Sequence, residues 1–547
     1  MNALTRVGLT LLLLMAELCA QHTFSLDELA GQLMVPSVAA GRVLTDAAAL
    51  AALEEKVRHS VIGGVHMLRA QASEVATLSA RLQALAPHPL FITADCEGGA
   101  GIMFPGATRF PRGLALAAAG DLLLTQRVAR RTAEESGLLG VNVVLAPVAD
   151  VNSSPTNPII NLRSFGEAPS SVAEQVQAFG RALEQAGLMA VAKHFPGHGD
   201  THEDSHLGLP VVDLDLKELE ARELVPFRAA VAGGITGMMS AHIAWPRLGG
   251  KDAWPATLEP RVVRELLRER LGFKGVVFTD ALDMGGITRR TTPAEAAVRA
   301  LLAGCDVLLF PTDIPAMRAA LAEAVRSGRM SREVFHAATQ RVLQARLRWK
   351  HAPRTTSEGL APLLDTDEAR DLAEECARRG CVRLRDGVVA LPERILVLQD
   401  RHEDWGFDHV PEAFLAELKR LGVLCAIESI SGRESEAELA PHSHARTLVL
   451  AAASLSPAGD KGALAAAERR RARLRAAVGA GAAVVLLGNP LAHGALPQGQ
   501  GALLLGLDFD DHTQRALARA LMGVGRAEGH LPLALPGLAA RGAGLGR

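Results

Sequence analysis

Eight short apolar runs, rich in β-branched residues, recur between Gln32 and Phe310 and constrain the fold more than any other feature of the chain. They are Gln32–Val38, Val61–Leu68, Leu90–Asp95, Val141–Ala146, Leu188–Lys193, Thr236–Ala241, Gly275–Asp280 and Cys305–Phe310. Each gives way to glycine, proline or polar loop residues, the pattern of strands buried on both faces. Amphipathic stretches of helical period lie between them, at Ala70–Leu85, Leu123–Gly137, Ser171–Gly187, Leu216–Ala232 and Pro260–Leu271. Two more, Ile314–Ser327 and Arg332–Trp349, follow the last run. Eight strands alternating with helices predict an α/β chain whose N-terminal part is a (β/α)8 TIM barrel. A doubly wound sheet is the second choice, since it usually carries fewer strands.

Past this pattern, His351–Leu364 (HAPRTTSEGLAPLL) is polar and contains proline, and reads as a linker. A helix expected over Asp367–Arg379 leads into a second α/β pattern. Its strands are expected at Arg394–Leu398, Val423–Ile430, Thr447–Ala452, Ala483–Leu487 and Leu503–Leu507. Helices at Pro411–Leu421, Lys461–Val478 and Thr513–Leu521 separate them. The 547 residues therefore divide, by expectation, into a leader or N-terminal extension (1–24), a barrel domain (25–350), a linker (351–366) and a smaller C-terminal α/β/α sandwich (367–547).

Composition narrows the partners. A formal net charge of −2 leaves no basic footprint for nucleic acid, and 48% hydrophobic residues argue against disorder. The cysteines (Cys19, Cys96, Cys305, Cys376, Cys381, Cys425) form no C-x-x-C pair, so they read as buried thiols in a reducing compartment. Met1–Ala20 holds one arginine and an apolar run from Val7 to Ala16, shaped like a signal peptide and too short to span a bilayer. Glu17 and Leu18 suit a processing site poorly, so a cytoplasmic location is favoured over export, with no integral membrane segment. The chain has no tyrosine and only 3% aromatic residues, hence few faces on which sugars or bases stack.

In a barrel, chemistry sits at the C-terminal ends of the strands. Polar groups gather there: Asp95 after the third run, Asp150 and Asn152 beyond the fourth, Lys193 and His194 at the fifth, Ser240 and His242 at the sixth, Asp280 at the seventh. Any one of them alone reads more readily as an ordinary loop residue, Asp and Ser as helix caps, but five successive strands ending this way do not. The densest segment is Lys193–Pro210, KHFPGHGDTHEDSHLGLP. His194, His198, His202 and His206 are spaced by four, but Pro196, Gly197 and Gly199 would break the helix that a metal site at this spacing needs, so no metal is expected. Asp204 and His206 form the more useful unit, because in an extended loop a carboxylate two residues away can orient an imidazole for general acid–base work. A Ser–His–Asp hydrolase is the weaker reading: there is no G-x-S-x-G, and Ser205 lies between the groups that it would have to face.

These residues fall in ordered motifs: D-x-E-G-G at Asp95–Gly99, APVADVN at Ala146–Asn152, NPIINLRSFG at Asn157–Gly166, KHFPGHGDT with DSHLGLP, MSAHI at Met239–Ile243 and FTDALDM at Phe278–Met284. Over about residues 25–350 the chain resembles glycoside hydrolase family 3, specifically its NagZ-type β-N-acetylglucosaminidases. The second half resembles that family's C-terminal sandwich less specifically, through LLGNPLAHGALP and GHLPLALPG. The resemblance implies Asp280 as nucleophile, with Asp283 the alternative, and His206 as acid and base partnered by Asp204. It implies sugar contacts from Asp95, Arg163, Lys193 and His194; the competing reading is a structural Asp95–Lys193 ion pair and a packing role for Arg163.

The expected activity is that of a retaining exo-β-N-acetylglucosaminidase on small peptidoglycan or chitin fragments, without a cofactor. Alternatives are a phosphorylase of the same glycoside, a β-glucosidase, or a non-catalytic sugar-binding homologue. Where many relatives follow D-x-E-G-G with arginines, this chain has Ala100, Gly101, Ile102 and Met103, which puts that contact in doubt. Trp245, the one indole expected near the mouth, and the scarcity of aromatics favour a short pocket gripped by charged groups.

Overall fold

The computed structural model describes residues 24–157, 159–201, 208–250, 252–349, 357–387, 392, 394–399, 411–424, 426–430, 447–453, 482–493, 501–535 and 538–546. Strands β1 (Met34–Val35), β2 (Ser37–Val38), β3 (Gly64–Met67), β4 (Phe91–Ala94), β5 (Val143–Val144), β6 (Met189–Phe195), β7 (Gly237–Ser240), β8 (Val276–Phe278) and β9 (Leu308–Leu309) fall within the eight apolar runs or overrun one end by two residues. The first run yields two strands because Pro36 interrupts it.

Strands β2 to β8 form one curled, seven-stranded sheet in chain order, every neighbouring pair parallel. β1 pairs with β9 in parallel, Met34 against Leu308, and Phe278 at the end of β8 bridges to Val307 just before β9. Both faces of β3 to β8 are buried, as the uninterrupted apolar runs require. Parallel pairing has a functional consequence: every strand ends on the same edge of the sheet, so residues distant in sequence are delivered to one place.

A second sheet has the order β10–β15–β14–β13–β11–β12, from β10 (Val382–Arg385), β11 (Arg394–Gln399), β12 (Ala426–Ile430), β13 (Thr447–Ala453), β14 (Ala483–Gly488) and β15 (Leu503–Gly506). All pairs are parallel except β10 with β15. β10 was not expected; its sequence VRLR has no continuous apolar run, because an edge strand needs fewer apolar contacts. The expected helix Lys461–Val478 lies outside the described residues, as do Cys19 and Cys425.

One helix expectation is corrected. Leu216–Ala232 is broken into Leu216–Ala221 and Leu224–Ala232, since Arg222 leaves helical geometry (φ −122°, ψ −74°) and Glu223 turns inward to full burial. The expected linker contains a helical turn at Ser357–Leu360 and a 3-10 turn at Ala361–Leu363. The two cores interlock: Leu372, Ala373 and Cys376 join the first, while Leu114, Ala115, Ala118 and Leu162 join the second. Cys96, Cys305, Cys376 and Cys381 are free and buried, and burial pushes the Cys96 and Cys305 thiols up to about 12, too high for a reactive thiolate. Among the described residues no helix is long and apolar enough to cross a membrane.

Candidate active site

The site is assembled at the C-terminal edge of the curled sheet. Asp95 immediately follows β4, and Lys193 and His194 lie near the end of β6. The Lys193 side chain is 2% exposed, yet it is met by two carboxylates: Nζ is 2.5 Å from Asp95 Oδ1 and 2.7 Å from Glu97 Oε1. Burial alone would depress the ammonium, but the two carboxylates outweigh it and hold Lys193 above its usual range. Burial likewise opposes ionisation of Asp95 and Glu97, and the neighbouring cations prevail, Lys193 first for Asp95 and Arg163 first for Glu97. Both acids are therefore ionised at neutral pH.

Arg163, on the 3-10 turn Asn161–Arg163, clamps Glu97 with both prongs, Nε to Oε2 at 2.9 Å and Nη2 to Oε1 at 2.7 Å. Nη2 also stands 3.4 Å from His194 Nε2. His194 Nδ1 is 2.7 Å from Asp150 Oδ2. Asp150 is fully buried; burial would raise its carboxyl, but His194 keeps it below its usual range. An ionised carboxylate accepts, so His194 Nδ1 donates to Asp150 and the ring is held with Nε2 facing the Arg163 guanidinium.

Asp150 has a second task. Its Oδ1 accepts from the His198 backbone N–H at 2.7 Å and fixes the turn that follows β6. His198 is buried, its Nδ1 2.7 Å from Thr201 Oγ1. Burial pushes this imidazole down to about 4, against the opposing charges of Asp150 and Asp280, so it is neutral near pH 7. Close approach makes glycine necessary at 199: a Cβ there would fall 1.6 Å from the Val151 carbonyl oxygen.

Asp280 lies two residues past β8 and is partly exposed. Its backbone N–H donates to Ser240 O at 3.1 Å, and its Oδ1 accepts from the Ala281 N–H at 2.8 Å. His242, beyond β7, donates from Nε2 to the Ala281 carbonyl at 2.8 Å, which holds the loop from the other side.

The structure thus brings Asp95, Lys193, Arg163 and His194 into one network, and the charge of Asp280 reaches His198 beside it. The Asp95–Lys193 ion pair of the competing reading is present, but the Asp95 side chain remains 37% exposed and so accessible to a ligand. Asp204 and His206 lie outside the described residues. Glu97 and His66 escaped the sequence reading. Glu97 was inside a quoted motif, and its place between two cations was the missing signal; His66, whose Nε2 is 3.5 Å from Asp95 Oδ2, had none. Trp245 is 4% exposed and donates from Nε1 to Leu214 O at 2.7 Å. No cluster of metal-ligating side chains occurs among the described residues.

Residues 25–345 match the family described as "Glycosyl hydrolase family 3 N terminal domain". The chain is 34% identical over 401 residues to "Beta-hexosaminidase A" of Pseudoalteromonas piscicida, an alignment covering 66% of this chain and 67% of that protein. It is 31% identical over 341 residues to "Beta-N-acetylglucosaminidase/beta-glucosidase" of Cellulomonas fimi, covering 60% of each. Among solved structures, a "glycoside hydrolase family 3 beta-N-acetylglucosaminidase" from Paenibacillus sp. superposes with a TM-score of 0.80 at 31% identity, over 94% of this chain and 99% of that one.

Proposed function

The chain belongs to glycosyl hydrolase family 3, and from that premise we propose that it is a retaining exo-β-N-acetylglucosaminidase that releases terminal β-linked N-acetylglucosamine from small glycans. The observation that carries the reading is the strand-end network itself. Asp95, Glu97 and Asp150 set three carboxylates against the two fixed cations Lys193 and Arg163, with a fourth carboxylate, Asp280, near enough to act on His198. Such a surplus of negative charge suits a transition state of oxocarbenium character. The relatives named for β-hexosaminidase and β-N-acetylglucosaminidase activity support the N-acetylamino sugar over glucose.

In this reading Asp280 attacks the anomeric carbon and forms a glycosyl-enzyme ester, while the leaving oxygen takes a proton from His206. Water, deprotonated by His206, then cleaves the ester. Asp204 orients the imidazole in both steps, and such acid–base assistance is worth roughly 10²–10⁴-fold. Asp95, Lys193, His194 and Arg163 grip the sugar hydroxyls by charge-assisted hydrogen bonds. The framework is a closed (β/α)8 barrel spanning 25–350, supported by the β1–β9 pair and the Phe278–Val307 bridge, followed by a linker (351–366) and an α/β/α sandwich (367–547).

Turnover of 4-nitrophenyl N-acetyl-β-glucosaminide and of the matching β-glucoside, with and without phosphate, tests the reading. The expected result is preference for the N-acetylamino sugar and free N-acetylglucosamine as product. A preference for glucoside, or a phosphate-dependent sugar 1-phosphate, would overturn it. Asp280→Asn should lose at least about 10³-fold in kcat, as removal of a covalent nucleophile does, and a fluorinated sugar that traps the intermediate should label Asp280.

A further inference from the structure

Arg163 sits on a segment that the first sheet does not hold alone. From the barrel side, Ser164 Oγ donates to Asp150 O at 2.7 Å and the Asn152 N–H donates to Gly166 O at 2.9 Å. From the opposite side three loops of the C-terminal half converge. Asn489 donates from Nδ2 to Asn161 Oδ1. The Glu167 N–H donates to Pro532 O at 3.3 Å, and Glu167 Oε2 accepts from the Ala534 N–H at 3.0 Å. Asp508 accepts from the Arg112 N–H at 2.7 Å and thereby fixes Gly113, where a Cβ would stand 2.5 Å from the Arg163 carbonyl oxygen.

Asn489 is built for this contact. It is 1% exposed, and its Oδ1 accepts from the Leu491 N–H at 2.9 Å, which leaves Nδ2 as the group presented to Asn161. Gly488 delivers it from the end of β14 with φ +87°, and a Cβ at that position would fall 1.9 Å from the Phe509 ring. Asn161 itself has φ +42°, a left-handed conformation that asparagine adopts more readily than most residues other than glycine.

We propose that Asn489 is a positioning residue for substrate binding: from the C-terminal half it fixes the Asn161 turn and so aims the Arg163 guanidinium. The inference rests on the reading that Arg163 grips the terminal sugar. It assigns the C-terminal half a part in affinity that acts through Arg163 rather than by direct contact of Asn489 with the sugar.

The test is steady-state kinetics of the full-length enzyme on 4-nitrophenyl N-acetyl-β-glucosaminide. Asn489→Ala should raise KM about five- to tenfold, the loss of one well-placed hydrogen bond, with kcat within about twofold. Asn161→Gly removes the same contact while tolerating the positive φ, and should give a similar rise. The double variant should be no worse than either single one, because both delete one interaction. An unchanged KM accompanied by a lower Tm would make Asn489 a merely structural residue and overturn the inference. If Asn489→Ala does not fold, Asn161→Gly decides by the same criterion. Arg163→Ala in the same assay separates the two levels. A large KM rise there with none in Asn489→Ala defeats the inference alone; an unchanged KM there removes the reading of Arg163 and the inference with it.

Discussion

His198 shows how much at this site is set by a single side chain's surroundings. It is buried, and burial pushes its imidazole down to about 4, while the unfolded chain titrates near the ordinary ~6.5. Between these values the unfolded state binds a proton that the folded state refuses. Its contribution to stability is therefore complete above about pH 6.5 and is lost as pH falls towards 4, by at most about 3 kcal/mol. Urea unfolding at pH 7 and pH 4.5 should show His198→Asn losing less stability over that interval than the parent; equal losses would refute the assignment. The residues of this network were legible where they end strands. Asp95, Lys193 and His194 follow from the rule that parallel strands deliver their last residues to one edge. Glu97 was not, because Gly98 and Gly99 beside it read as turn, and only the fold brings Arg163 onto it.

At the scale of elements, the loops after β5 and β6 are folded against each other so closely that backbone meets backbone. Gly199 lies against the Val151 carbonyl, Asn157 Nδ2 donates to the His198 and Gly199 carbonyls, and Asp150 caps the His198 N–H. Gly199→Ala must force these loops apart. It should cost about 1–3 kcal/mol, the usual penalty for overpacking, and should lower kcat/KM because Asp150 and His194 move with the loops. Denaturant midpoints and kinetics on one preparation check both. A variant of parental stability and activity would show that the loops separate freely. The strands of the first sheet were readable from apolar runs, while the helix break at Arg222–Glu223 was not. Leu216–Ala232 has helical period throughout, and what interrupts it is a tertiary preference for the buried Glu223, paired with Arg222 at 2.7 Å.

The whole molecule is held together where its two sheets' helices exchange side chains. Leu114, Ala115 and Ala118 pack into the second core and Leu372, Ala373 and Cys376 into the first, so neither core is complete alone. Sequence periodicity could mark these positions as apolar but not say which core they join, since the partners are hundreds of residues away. Asp508 is the polar counterpart of this exchange. It is fully buried and accepts from the Arg112 and Phe509 backbone N–H groups, each at 2.7 Å, with the Arg112 Nη1 at 3.4 Å. Asp508→Ala removes the shared acceptor of the Arg112 and Phe509 backbone N–H groups and a carboxylate partner of Arg112 at the junction, a loss of about 1–3 kcal/mol. Because the loss falls on the junction, it should also weaken coupling between the two halves. The parent is expected to unfold in one cooperative calorimetric transition, and Asp508→Ala in two, the earlier accompanied by a rise in KM as the support beneath Arg163 loosens. Two transitions in the parent would mean that the junction does not couple the halves, and one unshifted transition in the variant would mean that the apolar exchange alone couples them and that Asp508 adds nothing.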